Sequence, residues 1–302
     1  MNKCDIIIPT YNGCEKLRVA LPALLDQDMP RQWSARVILV DDGSTEDVAS
    51  LIRGHDWIGL WESPLIIRTS RGGRAQARNI GITNATADII LFLADDMILR
   101  QGALKEHMAF HTIHPEVEAA ALGCIVWDPR IAPTPLMEWM THGGQQNDYD
   151  ALLGRTTCLG RDFFYGSFVS VKRSFLGGER FSEEFSQYGW EDLEFGKRLD
   201  SLGLILHILH NSLALHRHFY VAKDILHRQR IVGSAKYRVN TNSIRRLRHA
   251  LYGALGIRGL ARYFMEKWGD ILNIPRIFAI INAGEFWYGV HHANKLLKSE
   301  KK

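Results

Sequence analysis

The sequence predicts an α/β fold in which helices flank a central, mostly parallel sheet. Two observations lead to this class. Short apolar runs that end in polar residues alternate with helical patterns over the first hundred residues, which is typical of strands and helices that follow each other in a parallel sheet. The run at residues 89–93 is apolar throughout, as expected of a strand that is covered on both faces.

Length and composition indicate one large domain or one domain with an appendage. The chain has 302 residues, of which 46% are hydrophobic and 23% are charged, as in ordinary globular proteins. Its four cysteines include no CxxC pair, which predicts reduced thiols in a cytosolic protein. We find neither a signal-peptide pattern nor an apolar run of the roughly 20 residues that span a bilayer. We therefore expect a cytoplasmic protein.

The first two strands are predicted to end in polar loops. Residues 5–8 form an apolar strand that Pro9 ends, and a helical pattern follows from Glu15 to about Leu25. The pattern recurs at residues 36–40, where the strand leads into two acids and a glycine turn, and a threonine can then cap the next helix. Both loops are thus expected at the same edge of the sheet.

Two further strands add loops to this edge. Residues 65–68 are followed by a glycine pair and a helix that contains Arg78, and residues 89–93 end at Asp95 and Asp96. Ligands bind at the carboxyl edge of such sheets, where carboxylates suit a divalent cation that phosphates also hold. The loops after residues 36–40, 65–68 and 89–93 together would suit a nucleoside diphosphate. Arg78 contacts phosphate or, alternatively, forms a structural ion pair with an acid.

The second half is predicted to continue the sheet. We expect a helix at residues 101–111 and strands at 119–127, 168–171 and 204–208, the last leading to His216. Residues 141–162 are polar and glycine-rich and predict a long loop, either a lid or acceptor-binding loop or a disordered insertion. The acids at 191 and 192 follow Gly189 at a predicted helix start, where capping alone would explain them.

Four motifs in order resemble those of family 2 glycosyltransferases with the GT-A fold. They are residues 8–12 (IPTYN), 40–44 (VDDGS), 77–81 (ARNIG) and 92–96 (FLADD). The resemblance implies a donor site for a UDP-sugar, with one of the two acids of the second motif on uracil and the arginine near the diphosphate. The donor-binding residues would be Pro9, Thr10, Tyr11, Asp41, Asp42, Gly72, Arg78 and Asp95.

The same resemblance implies a divalent metal site. Family members often carry Asp where this chain has Ala94, so Asp96 would be the metal ligand and Asp95 would lie nearer the ribose. Relatives place a metal- or diphosphate-contacting histidine after the last strand, which makes His216 the first choice and His218 the second; a structural histidine is the alternative. An imidazole favours Mn²⁺ over Mg²⁺.

Residues 189–192 (GWED) resemble the acceptor-side signature of the same fold, in a galactosyltransferase-like form. By that resemblance Asp192 is the catalytic base, Glu191 holds acceptor hydroxyls, and Trp190 stacks on a sugar. The implied reaction is inverting transfer from a UDP-sugar to a hydroxyl of a glycan, glycolipid or other saccharide precursor. A silent nucleotide-sugar binder and a sugar nucleotidyltransferase are the alternatives.

The resemblance places a GT-A catalytic domain at residues 1–220, with a donor half (1–100) and an acceptor half (101–220). Residues 221–302 are predicted to be a helical extension. Its basic residues contribute to the net charge of +4, and its apolar stripes either pack on the catalytic domain or bind an anionic membrane as a peripheral contact at its inner face. We expect no nucleic-acid partner.

Overall fold

The computed structural model describes residues 1–141, 149–185 and 189–239, with side chains up to residue 233. These residues divide into two compact units. The described part of the first unit comprises residues 1–128, 151–185 and 191–218, and that of the second comprises 129–141, 149–150, 189–190 and 219–239.

The strands of the described residues all lie in the first unit. In chain order they are β1 (Asn2–Thr10), β2 (Trp33–Asp41), β3 (Leu65–Arg68), β4 (Ile89–Leu93), β5 (Met97–Leu99), β6 (Ala119–Trp127), β7 (Thr157–Cys158), β8 (Phe168–Lys172) and β9 (Ile205–His216). They form one sheet in the order β3-β2-β1-β4-β8-β6-β9-β5, with β7 paired to β9. The predicted α/β fold is confirmed.

The helices flank this sheet or lie in the second unit. They are α1 (Cys14–Leu25), α2 (Val48–Arg53), α3 (Arg74–Asn84), α4 (Ala103–Ile113), α5 (Pro135–Thr141), α6 (Gly160–Phe163), α7 (Arg173–Leu176), α8 (Glu191–Ser201) and α9 (Ala222–Val239). A 3-10 turn at Asp150–Leu152, β7 and the start of α6 lie within residues 141–162, where the sequence predicted a long loop. Residues 142–148 of that loop lie outside the described residues.

The half of the sheet formed by β1 to β4 is parallel. β1 pairs with β2 on one side and β4 on the other, and β2 pairs with β3. The central residues Ile6 and Ile7 are completely buried, because helices cover both faces of the sheet. Since these strands run in the same direction, the loops that follow β1, β2, β3 and β4 meet at one edge, as the sequence predicted.

The other half of the sheet is mixed. β8 runs antiparallel between β4 and β6, whereas β9 runs parallel to β6 and antiparallel to β5. In the last pair Met97 is opposite His216, and the Arg217 N–H donates to the Asp96 carbonyl at 3.0 Å. This pairing brings His216 and Asp96 together although 120 positions separate them in the sequence.

A buried polar cluster joins α4 to β8. The Ser170 hydroxyl contacts His107 Nδ1 at 2.7 Å and His111 Nε2 at 2.8 Å, and Lys172 Nζ lies 3.3 Å from His111 Nδ1. Burial lowers the pKa of His107 to about 3, and burial together with the Lys172 charge lowers that of His111 to about 2. Both imidazoles are therefore neutral in the folded protein at pH 7.

The second unit has an apolar core of its own. Leu136, Trp139 and Met140 of α5 pack with Ala222, Ile225 and Leu226 of α9. Among the described helices, we find none with the length and hydropathy needed to span a membrane. Residues 240–302, which make up most of the predicted helical extension, lie outside the described residues, so the domain boundary at 220 stays a prediction.

Candidate active site

The loop after β1 is held against the acid pair that follows β4. Thr10 Oγ1 donates to Asp95 Oδ2 at 2.8 Å. Gly13 lies at this contact, where an added Cβ would collide with the Thr10 hydroxyl and the Asp95 carboxylate. Only a residue without a side chain lets the start of α1 come this close to Asp95, which explains the glycine at this position.

The two acids after β2 organise the neighbouring loops. Asp41 Oδ1 accepts from the Ser44 N–H at 2.8 Å, while the Asp42 carboxylate accepts from Gly72 N at 2.7 Å and Gly73 N at 2.9 Å. Both acids are buried, and these backbone hydrogen bonds hold their carboxyl groups in place. Asp42 thereby joins the β2 loop to the start of α3.

Tyr11 and Arg71 form a stacked pair at the same edge. The Arg71 guanidinium lies 4.0 Å from the centroid of the Tyr11 ring and donates to the Tyr11 hydroxyl at 3.0 Å. Pro9, the neighbour of Thr10, is opposite Val40 in β1 and β2. The structure therefore places Pro9 and Thr10 beside the end of β2, where Asp41 lies, and the nucleoside pocket stays a prediction.

Asp96 is surrounded by nitrogen groups. Its Oδ2 lies 3.5 Å from His216 Nε2, 3.8 Å from His218 Nδ1 and 3.9 Å from Lys16 Nζ. Burial would raise the pKa of Asp96, but His216, together with Lys16 and Arg74, holds that pKa below its ordinary value. The pKa of Asp95 is raised by burial and by the Asp96 charge.

Trp127 fixes the orientation of His216. Its ring stacks on the imidazole at a centroid distance of 4.9 Å and an interplanar angle of 14°. Trp127 ends β6 and pairs with His216 at the end of β9. The sequence analysis missed this contact. The feature that could have indicated it is Trp127, an aromatic residue at the last position of an apolar strand.

The chemistry of these donors fits a metal that is shared with a substrate. Ligands bonded to one cation at 2.0–2.2 Å stand roughly 3.0–3.6 Å apart, and the separation of Asp96 and His216 falls in this range. Within residues 1–141, 149–185 and 189–239, no group of three or more His, Cys, Asp or Glu side chains is arranged to hold a metal ion. A cation here would take its other ligands from a diphosphate and water.

A second set of acids lies at the start of α8. Glu191 is buried, and its Oε1 lies 3.1 Å from Arg78 Nη1, while Arg78 Nη2 donates to the Gly166 carbonyl. Arg78 thus has the ion-pair role that the sequence left open, and its contact with a diphosphate stays a prediction. Glu191 Oε2 is buried and has no hydrogen-bond partner in the described part of the chain.

Asp192 has the pKa of a potential general base. Burial and the Glu191 charge raise its pKa to about 6, against the lowering effect of Arg78. Its Oδ1 accepts from the Leu193 N–H at 2.9 Å. A carboxylate with a pKa just below neutral pH is ionised at pH 7 yet basic enough to accept a proton during a reaction.

Trp190 belongs to the second unit. Its indole N–H donates to the Val232 carbonyl of α9 at 2.8 Å, and its backbone has a φ of 73°. Such a conformation is a rare outlier for a bulky residue and often marks a functional segment. The predicted stacking of Trp190 on a sugar stays a prediction.

The comparisons agree with this fold. The α/β architecture is that of GT-A glycosyltransferase structures. The model of the family "Glycosyl transferase family 2" matches residues 5–178, which is more than half of the chain. The chain therefore belongs to glycosyltransferase family 2.

Two curated relatives show the extent of the likeness. Poly(ribitol-phosphate) beta-N-acetylglucosaminyltransferase TarS from Staphylococcus aureus is 30% identical over 115 residues, which are 38% of this chain and 20% of TarS. GalNAc(5)-diNAcBac-PP-undecaprenol beta-1,3-glucosyltransferase from Campylobacter jejuni is 26% identical over 194 residues, or 63% of this chain and 58% of that enzyme. The aligned segments thus span less than two thirds of either relative.

Solved structures extend the likeness over nearly the whole chain. TarS 1–349 from S. aureus in complex with UDP-GlcNAc aligns with a TM-score of 0.56 at 15% identity, covering 99% of this chain and 92% of that one. Mannosyltransferase PcManGT from Pyrobaculum calidifontis, in complex with GDP-Man and Mn²⁺, gives 0.53 at 17% identity and covers 98% and 74%. At these identities the likeness shows the shared fold.

Proposed function

We propose that the protein is an inverting glycosyltransferase that moves a sugar from a UDP-sugar to an acceptor hydroxyl with a divalent metal. The observation that carries this proposal is that the first unit contains two acidic sites. One is the buried Asp95–Asp96 pair, and the other is Asp192 with its pKa of about 6. The first suits a donor diphosphate, and the second suits removal of a proton.

The donor is proposed to bind at the carboxyl ends of the parallel strands. Pro9, Thr10 and Tyr11 would line the nucleoside pocket, and one of Asp41 and Asp42 would accept from the uracil N–H. Asp95 would lie near the ribose, and Gly72 near the phosphates. The position of all these groups at one edge of the sheet supports this arrangement.

Asp96 and His216, with His218 as the second choice, would hold Mn²⁺ or Mg²⁺. A bound cation supplies positive charge that stabilises the leaving diphosphate. Trp127 keeps the His216 ring in the plane that faces Asp96. Support for Mn²⁺ also comes from PcManGT, whose structure contains it.

Asp192 is proposed to act on the acceptor. It would take the proton of the acceptor hydroxyl while that oxygen forms a bond to the anomeric carbon and the bond from this carbon to the UDP oxygen breaks. Attack from the face opposite the diphosphate inverts the configuration. Glu191 would accept a hydrogen bond from another acceptor hydroxyl through the oxygen that Arg78 leaves unused, and Trp190 would stack on a sugar.

We propose a saccharide or lipid-linked acceptor. The names of relatives support this class, since one acts on poly(ribitol-phosphate) and another on an undecaprenol-linked saccharide. A cytoplasmic location and a peripheral membrane contact through the basic C-terminal residues stay predictions.

Calorimetry with UDP, GDP and dTDP tests the donor assignment. With Mn²⁺ present, we expect UDP to bind more tightly than the other two nucleotides, because GDP has a larger purine base and dTDP lacks the ribose 2′-hydroxyl that would lie near Asp95. Replacing Mn²⁺ with EDTA should weaken UDP binding. Failure of UDP to bind under either condition would contradict the proposed function, and a preference for GDP would contradict the choice of UDP.

A further inference from the structure

The two acids of the proposed donor site, Asp95 and Asp96, face a positively charged side chain of the protein. Lys16 lies in the first turn of α1, and its Nζ is 3.4 Å from Asp95 Oδ1 and 3.9 Å from Asp96 Oδ2. Its side chain is 29% exposed, so the ammonium lies between the buried carboxylates and solvent. The sequence analysis did not single out this residue.

We propose that Lys16 is an exchangeable cation of the donor site, which neutralises Asp95 and Asp96 before a divalent metal binds and then pairs with the donor diphosphate. This inference rests on the proposed function. It adds a donor-binding residue that lies outside the four motifs of the sequence.

The contacts of Asp95 and Asp96 explain why a cation is needed. Thr10 occupies Asp95 Oδ2, which leaves Oδ1 facing Lys16, and Asp96 Oδ2 faces His216 and His218 as well as Lys16. Two adjacent buried carboxylates repel each other, and an ammonium beside both offsets this repulsion. Lys16 therefore offsets part of the charge of the pair while no metal is present.

The position of Lys16 also makes it a competitor of the metal. A divalent cation on Asp96 would come within a few ångströms of the ammonium, and like charges at that distance repel strongly in a partly buried site. The flexible four-carbon side chain of lysine can move away. A diphosphate bound beside the metal offers the displaced ammonium new oxygen partners.

The experiment measures two affinities, one for Mn²⁺ and one for UDP, which we expect the removal of the Lys16 charge to change in opposite directions. Mn²⁺ binding without nucleotide is followed by electron paramagnetic resonance, and UDP binding in EDTA by calorimetry. The variants are Lys16→Met, Lys16→Arg and, as a matched control, Lys105→Met, which changes an exposed lysine of α4.

For Lys16→Met we expect Mn²⁺ affinity to rise at least about tenfold, because a competing positive charge is removed. We expect UDP affinity in EDTA to fall about tenfold, because a charge-assisted hydrogen bond to phosphate is lost. Lys16→Arg should lie between Lys16→Met and the wild type in both measurements, and Lys105→Met should match the wild type. A merely structural role would not raise one affinity and lower the other.

Unchanged or weaker Mn²⁺ binding by Lys16→Met would overturn the proposal, and so would unchanged UDP affinity in EDTA. Failure of the proposed function gives a different result, in which the wild type binds no UDP even with Mn²⁺. Even then, the Mn²⁺ measurement shows whether Lys16 competes with a metal, because it is made without nucleotide.

Discussion

Asp192→Asn is expected to lower the rate of sugar transfer by about 10²- to 10⁴-fold, the range for loss of a general base, and to leave UDP affinity unchanged. The amide cannot take the acceptor proton, but its oxygen can still accept from the Leu193 N–H. The rate of UDP release from a UDP-sugar measures the first effect, and calorimetry measures the second.

The pH dependence of the wild type provides a further check on Asp192. Because only the ionised carboxylate accepts a proton and its pKa is about 6, the transfer rate should fall about tenfold per pH unit below pH 6. Asp56→Asn, which changes an exposed acid, should behave like the wild type. If Asp192→Asn loses UDP binding as well as sugar transfer, the assignment of Asp192 as the base is wrong.

Asp96→Ala is expected to abolish the effect of Mn²⁺ on UDP affinity. Loss of a residue that only hydrogen-bonds a metal-ligating side chain lowers metal affinity by about 10- to 100-fold. Loss of the metal-ligating side chain itself should lower it at least as much. Calorimetry of UDP with Mn²⁺ and with EDTA should give equal affinities for this variant and unequal ones for the wild type.

Asp56→Ala serves as the control for an acid outside the site and should keep the metal effect. If Mn²⁺ still strengthens UDP binding to Asp96→Ala, the metal lies elsewhere and the assignment of Asp96 is wrong. Arg78 is unsuitable for a similar test, because removing one partner of a buried ion pair costs about 3–5 kcal/mol of stability and would confound binding with folding.

The sequence predicted the donor edge of the fold because local patterns determine it. An apolar run that ends in Asp95 and Asp96, and another that ends in Asp41 and Asp42, both identify strands whose loops must lie at the carboxyl edge. The contacts of Asp42 with Gly72 and of Thr10 with Asp95 follow once these strands are parallel neighbours.

Contacts that depend on distant pairings could not be predicted from the residues alone. Glu191 meets Arg78 across 113 positions, and the run that contains Ser170 gives no sign of the two histidines that reach its hydroxyl. Lys16 faces the acids because of the rotation of α1 about its axis, which the exact start of the helix sets. A helix boundary read from sequence is uncertain by a few residues, enough to turn such a side chain away.

The configuration of the first product tests the central claim most directly. Proton nuclear magnetic resonance can follow the anomeric configuration of the product that forms from an α-linked UDP-sugar. With a saccharide as the acceptor, the signal is that of the new linkage. With water as the acceptor, it is that of the released sugar before its anomers interconvert. We expect the β anomer to form first, because Asp192 would activate an acceptor on the face opposite the diphosphate. Initial formation of the α anomer would contradict both the inverting reaction and the role of Asp192.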